Sequence, residues 1–118
     1  MTRTLFIFAA ALALSAPAFA QPAADAPKGD AVRGHKLFYD IGCYQCHGFQ
    51  GETGGPGGRL APNLLPYDAV LGQMRHPASR MPIYTAEVTP DQDVADIYAY
   101  LRAQPPAKPV ADIPLLNR

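Results

Sequence analysis

The sequence predicts an all-α fold in one small domain. Three stretches place apolar residues three and four apart between residues suited to capping helices. No stretch alternates apolar and polar residues as a half-buried strand does, and no internal repeat stands out. A run dense in glycine and proline follows the first helical stretch, and the only two cysteines lie just ahead of it.

Residues 1–20 read as a secretory signal. Arg3 supplies the positive start, Leu5 to Leu14 an apolar stretch, and Ala18-Phe19-Ala20 a small-x-small cleavage pattern, leaving Gln21 as the expected mature N-terminus. The apolar run is too short to cross a bilayer comfortably and no stop-transfer charges follow it. Cleavage is therefore expected, with no stable membrane span afterwards and a periplasmic location. Arg3 leaves with the signal, so 9 basic residues face 10 acidic ones in the mature chain. That balance gives no support for nucleic-acid binding or for an anionic membrane surface.

Residues 21–29 are rich in Ala and Pro and read as a flexible leader. The first helix is expected from Asp30 to about Ile41, with Asp30 capping its start and Gly42 ending it in a left-handed conformation. Gly34, Phe38 and Ile41 share one face. Glycine inside a helix costs about 1 kcal/mol relative to alanine, so Gly34 is either tolerated or marks a close helix crossing. From Gly48 to Asn63, six glycines with Pro56 and Pro62 exclude a regular element; this loop is expected to fold along whatever the cysteines hold.

Pro66 to Met74 suits a short helix, ended by His76-Pro77. A loop over residues 78–88 leads to the clearest helix, with Thr89 as N-cap, Pro90 at the first helical position and Asp91 and Asp93 in the first turn. Val94, Ile97, Tyr98 and Leu101 form its apolar stripe, and it ends near Ala103. The domain thus spans 30–103. The Pro-rich tail, 104–118, has too many prolines for a helix, and its Ile113, Leu115 and Leu116 are expected either to pack over the domain surface, the preferred reading, or to dock on a partner.

Cys43-Tyr44-Gln45-Cys46-His47 matches the attachment signature of a covalently bound c-type haem, one per chain. Each thiol adds across one haem vinyl group, and the adjoining imidazole becomes the proximal iron ligand. An exported Cys-x-x-Cys can otherwise serve as a redox dithiol or a disulfide. A thioredoxin-like site needs strands around the motif, and that reading leaves His47 unexplained.

For the sixth iron position the downstream candidates are Met74, His76 and Met81. Met81 is preferred because it lies in a loop free to bring its sulfur to the metal, stiffened by Pro82. Met74 falls on the apolar side of a predicted helix and suits core filling. The second N–H of His47 needs a backbone carbonyl; Pro62 is the expected acceptor and Pro56 the second choice. No catalytic triad, paired-carboxylate site or phosphate loop is present, so an electron carrier is expected and not an enzyme.

Taken together, the chain resembles a class I cytochrome c of the small bacterial monohaem type over about residues 30 to 103. The resemblance rests on Gly34 to Phe38 (Gly-x-x-x-aromatic), Cys43 to His47, Pro62-Asn63-Leu64, Met81-Pro82-Ile83-Tyr84 and Asp96-Ile97-Tyr98-Ala99-Tyr100-Leu101, in that order. It implies a cytochrome c-like domain whose N- and C-terminal helices cross around the haem, with Gly34 and Phe38 against Ile97 and Tyr100. It also implies that Pro62 and Leu64 border the haem and that His47 and Met81 bind the iron.

Two features depart from the family. The segment between His47 and Met81 is short, implying reduced central helices and a more exposed haem edge, and a lysine ring is missing, since only Lys28, Lys36 and Lys108 occur. The implied function is a periplasmic carrier of single electrons between redox proteins (a dehydrogenase, a terminal oxidase or another cytochrome), or the cytochrome subunit of a dehydrogenase complex. The alternative is a haem enzyme or gas sensor with an open sixth position, for which Arg75 and His76 are the only nearby polar pair.

Overall fold

A computed structural model describes residues 26–116 of the chain apart from 54 and 107. The expected signal segment, 1–20, lies outside the described residues. Four α-helices occur in the order α1 (Ala31–Asp40), α2 (Tyr44–His47), α3 (Tyr67–Arg75) and α4 (Asp91–Arg102), and two 3-10 turns follow at Val110–Asp112 and Pro114–Leu116. Among the described residues there is no strand. The all-α expectation holds.

Asp30 caps α1: its carboxylate accepts from the amides of Val32 at 2.8 Å and Arg33 at 3.1 Å. Such a cap contributes about 1 kcal/mol. Ile41 closes the helix, and Gly42 turns the chain at φ 80°, a conformation that costs glycine little. Gly34 and Phe38 are the buried residues of α1. A Cβ added at Gly34 would overlap the Asp96 carbonyl and lie 2.8 Å from the Ile97 amide, so the missing side chain is what lets α1 meet the α4 backbone.

α4 is the central helix. Besides the expected Val94, Ile97, Tyr98 and Leu101 it buries Ala95, Asp96 and Tyr100. Two apolar clusters form along it. Phe38 of α1 packs with Ile97, Tyr100 and Leu101, as the family resemblance implied. Tyr67 and Met74 of α3 pack with Val94, Ala95 and Tyr98. Leu64 touches both clusters.

Asp96, 2% exposed, accepts from the Asp30 amide at 2.8 Å and Gln92 Nε2 at 2.9 Å, and pairs with Arg33, which also reaches Asp93. Burial pushes this carboxyl up, but the Asp30 amide, Gln92 and Arg33 together overcome it and hold it below its ordinary value. The start of α1 is thereby fastened to α4.

Two expectations need correction. Thr89 is not the N-cap of α4; Pro90 takes that position without a side-chain bond. The backbone of Thr89 is committed elsewhere, its amide to Thr85 O at 2.9 Å and its carbonyl to Arg75, and its hydroxyl is fully buried without a partner. The tail is the second. Its prolines do not prevent two 3-10 turns, which need only local bonds such as Asp112 N to Pro109 O at 2.9 Å. Leu115 stays 71% exposed and Leu116 is exposed as well, so these two side chains do not pack on the domain, whereas Ile113 is half-buried.

Candidate functional site

The turn at Gly42 delivers the chain into α2, a single helical turn over Tyr44–His47 with Cys43 at its N-cap. The His47 amide donates to Cys43 O at 3.1 Å and the Gly48 amide to Tyr44 O at 2.9 Å. In a helical turn, residues three and four apart share a side. Cys43, Cys46 and His47 are therefore presented together. Rings brace the turn from behind: Tyr44 stacks on Tyr39 at 5.0 Å and on Phe49 at 5.8 Å. Tyr100 of α4 then donates its hydroxyl to Phe49 O at 2.9 Å.

The two thiols are free and differ in setting. Cys46 is exposed, whereas Cys43 is half-buried and packs against the Phe38–Ile97 cluster. Burial pushes the Cys43 thiol up to about 11.

His47 lies with Nδ1 2.6 Å from the carbonyl oxygen of Gly58. A carbonyl only accepts, so Nδ1 carries the proton and Nε2 keeps its lone pair for a metal. The expected acceptors were Pro62 and then Pro56; the structure gives the bond to Gly58. The reason is steric. A Cβ at Gly57 would sit 2.6 Å from His47 Cε1 and 2.7 Å from Nδ1, so only a chain bare of side chains comes this close to the ring. The Gly57 amide donates to Cys46 O at 3.0 Å, and the Leu60 and Ala61 amides to Gly51 O at 2.8 and 2.9 Å, which folds the loop back on the motif. The paired glycines 57 and 58 were the sequence signal for this approach. Pro62, joined to Ala61 by a cis peptide bond, is exposed.

Leu64 is half-buried between the two clusters, and the next residue is held from α4, Tyr98 donating to Leu65 O at 3.0 Å. Met81 is half-buried in the loop after α3 and packs, with Tyr84, on the Tyr67–Met74–Tyr98 cluster. Met74 is 4% exposed inside that cluster, a core side chain as its helical position foretold. His76 is exposed at the C-cap of α3, and His35 rests 4.9 Å from the rings of Tyr39 and Tyr100.

Burial raises the Tyr84 phenol, and Cys43 and Cys46 push it the same way. Beside Leu64 and Met81 the same two loops leave Leu65 61% and Ile83 67% exposed, apolar surface that a flat hydrophobic group would cover. Paired thiols on one side of a helical turn, an imidazole with a free Nε2, a half-buried thioether in the loop after α3 and uncovered apolar side chains suit a covalently tethered metalloporphyrin.

Comparison with known proteins gives one match. A family model described as cytochrome c oxidase, cbb3-type, subunit III covers residues 29–101. No curated protein and no solved structure matches significantly.

Proposed function

The chain belongs to the family described as cytochrome c oxidase, cbb3-type, subunit III, and we propose that it is a periplasmic carrier of single electrons with His47 and Met81 as axial ligands. As a small c-type cytochrome it carries a covalently bound haem c. When bound, that group supplies a one-electron ferric–ferrous couple.

The chain's own residues do the rest. Cys43 and Cys46 tether the group. His47, oriented by Gly58, offers Nε2 to the metal, and Met81 offers a soft thioether that favours the ferrous state and raises the potential. Pro62 and Leu64 border the group, and the apolar clusters along α4 keep the site dry. The observation that carries this reading is the bond from His47 Nδ1 to Gly58 O, which leaves Nε2 for a metal on the helical turn that also presents both thiols.

The partners are redox proteins such as a dehydrogenase, a terminal oxidase or another cytochrome. With three lysines in the chain, recognition does not depend on a basic ring around the site. No helix among the described residues is long and apolar enough to cross a membrane. The open-site alternative needs Arg75 and His76 as distal groups, but Arg75 is committed to the carbonyls of Tyr84 and Thr89 and to Asp91, and His76 is exposed.

The test is spectroscopic. Ferric protein from a host competent for cytochrome maturation is expected to show the weak Met–iron charge-transfer band at the near-infrared edge. Met81→Ala abolishes that band and Met74→Ala leaves it. Loss of the band with Met74→Ala instead, or a high-spin wild type that shifts quickly on adding cyanide or azide, would overturn the assignment.

A further inference from the structure

We propose that Arg75 is a positioning residue for Met81, closing the base of the loop that carries the thioether; this rests on the reading of Met81 as the second iron ligand. Arg75 ends α3, yet its side chain is only 16% exposed. Its guanidinium donates to Tyr84 O at 2.6 Å, Thr89 O at 2.8 Å and Asp91 Oδ1 at 2.6 Å. Asp91 is 66% exposed, and an ion pair that open contributes little. The bonds to the two carbonyls carry the interaction, since charge-assisted bonds away from water are the strong ones.

Both backbone groups of Tyr84 are thereby held. Its amide donates to Met74 O at 3.0 Å, and its carbonyl accepts from Arg75. Met74 is itself fixed in the core. The segment between Met74 and Tyr84, with Met81 in it, is therefore a loop pinned at both ends, and Met81 and Tyr84 rest on the same apolar cluster. Without the guanidinium, the Tyr84 and Thr89 carbonyls lose their partner, and the loop is left to the Met74–Tyr84 bond and its apolar packing.

The experiment measures the Met–iron band and the rate at which imidazole enters ferric holoprotein, a rate limited by departure of the thioether. Arg75→Ala is expected to speed imidazole entry about tenfold, in line with loss of hydrogen bonds to a charged donor, and to lose the band at a lower temperature than the wild type. Arg75→Lys keeps the charge beside Asp91 but cannot span both carbonyls, so it should fall between the two; it also keeps the question answerable if Arg75→Ala does not accumulate. Asp96→Asn, at the α1–α4 junction, serves as a control that lowers overall stability without touching this loop, and its entry rate should match wild type. A wild-type band with unchanged entry in both Arg75 variants, or equal acceleration in Asp96→Asn, overturns the role of Arg75. A wild type with no band overturns the ligand reading and this role with it.

Discussion

Asp96→Ala is expected to lower stability by about 2 kcal/mol, because it removes a buried carboxylate that accepts three hydrogen bonds. Three donors converge on this carboxylate: the Asp30 amide, Gln92 Nε2 and Arg33. Arg33 is about half exposed and regains water when its partner is lost, which limits the cost. Gln92 is exposed and keeps its bond to Lys28 O, so the loss falls mainly on the Asp30 amide. Urea unfolding at neutral pH should show the loss as a lower midpoint with an unchanged slope.

The pH dependence follows from the same geometry. The Asp96 carboxyl titrates below its ordinary value when folded, so the unfolded chain takes up the proton first as pH falls. Its stabilisation is present in full above the unfolded value of about 4 and is lost as pH drops through the folded value. The stability gap between wild type and Asp96→Ala should therefore begin to narrow below about pH 4 and go on narrowing as pH falls through the folded value. Stability curves that stay parallel through that range would show that the carboxylate is not held as described.

Gly34→Ala sets two effects of opposite sign against each other. Helix propensity favours alanine by about 1 kcal/mol. The added methyl, however, would overlap the Asp96 carbonyl, which is backbone and cannot swing away as a side-chain tip could. Separating α1 from α4 would also strip Phe38 of its contacts with Ile97, Tyr100 and Leu101. Overpacking of this kind costs up to about 3 kcal/mol, so the clash outweighs the propensity gain and a net loss of about 2 kcal/mol is expected. Thermal unfolding of the holoprotein followed by far-ultraviolet circular dichroism measures it. A variant as stable as wild type would mean that the helices do not meet at this glycine.

Much of the frame was legible in the sequence because its signals are local. Asp30 and Gly42 bracket α1 as caps do, and the spacing of Val94, Ile97, Tyr98 and Leu101 marks the buried side of α4. The close crossing at Gly34 needed the family resemblance to name its partners, Ile97 and Tyr100. Where tertiary packing decides, sequence reasoning fell short. The four residues of α2 are too few to display a period. The His47 partner depends on which part of a glycine-rich loop comes nearest in space, and Gly57 and Gly58 approach where prolines were expected. Thr89 carries the residue type of a cap, but the chain entering α4 gives that position to Pro90. Arg75 entered the sequence reading as a polar group for an open iron position and is instead committed to the Tyr84 and Thr89 carbonyls.

The most direct measurement is the mass of the mature protein made in a host that matures cytochromes, together with the mass of the peptide containing Cys43 to His47. One porphyrin per chain, joined through both sulfurs with neither thiol left to alkylate, is the predicted result. A mature chain of unmodified mass, with both cysteines open to alkylation, would contradict it.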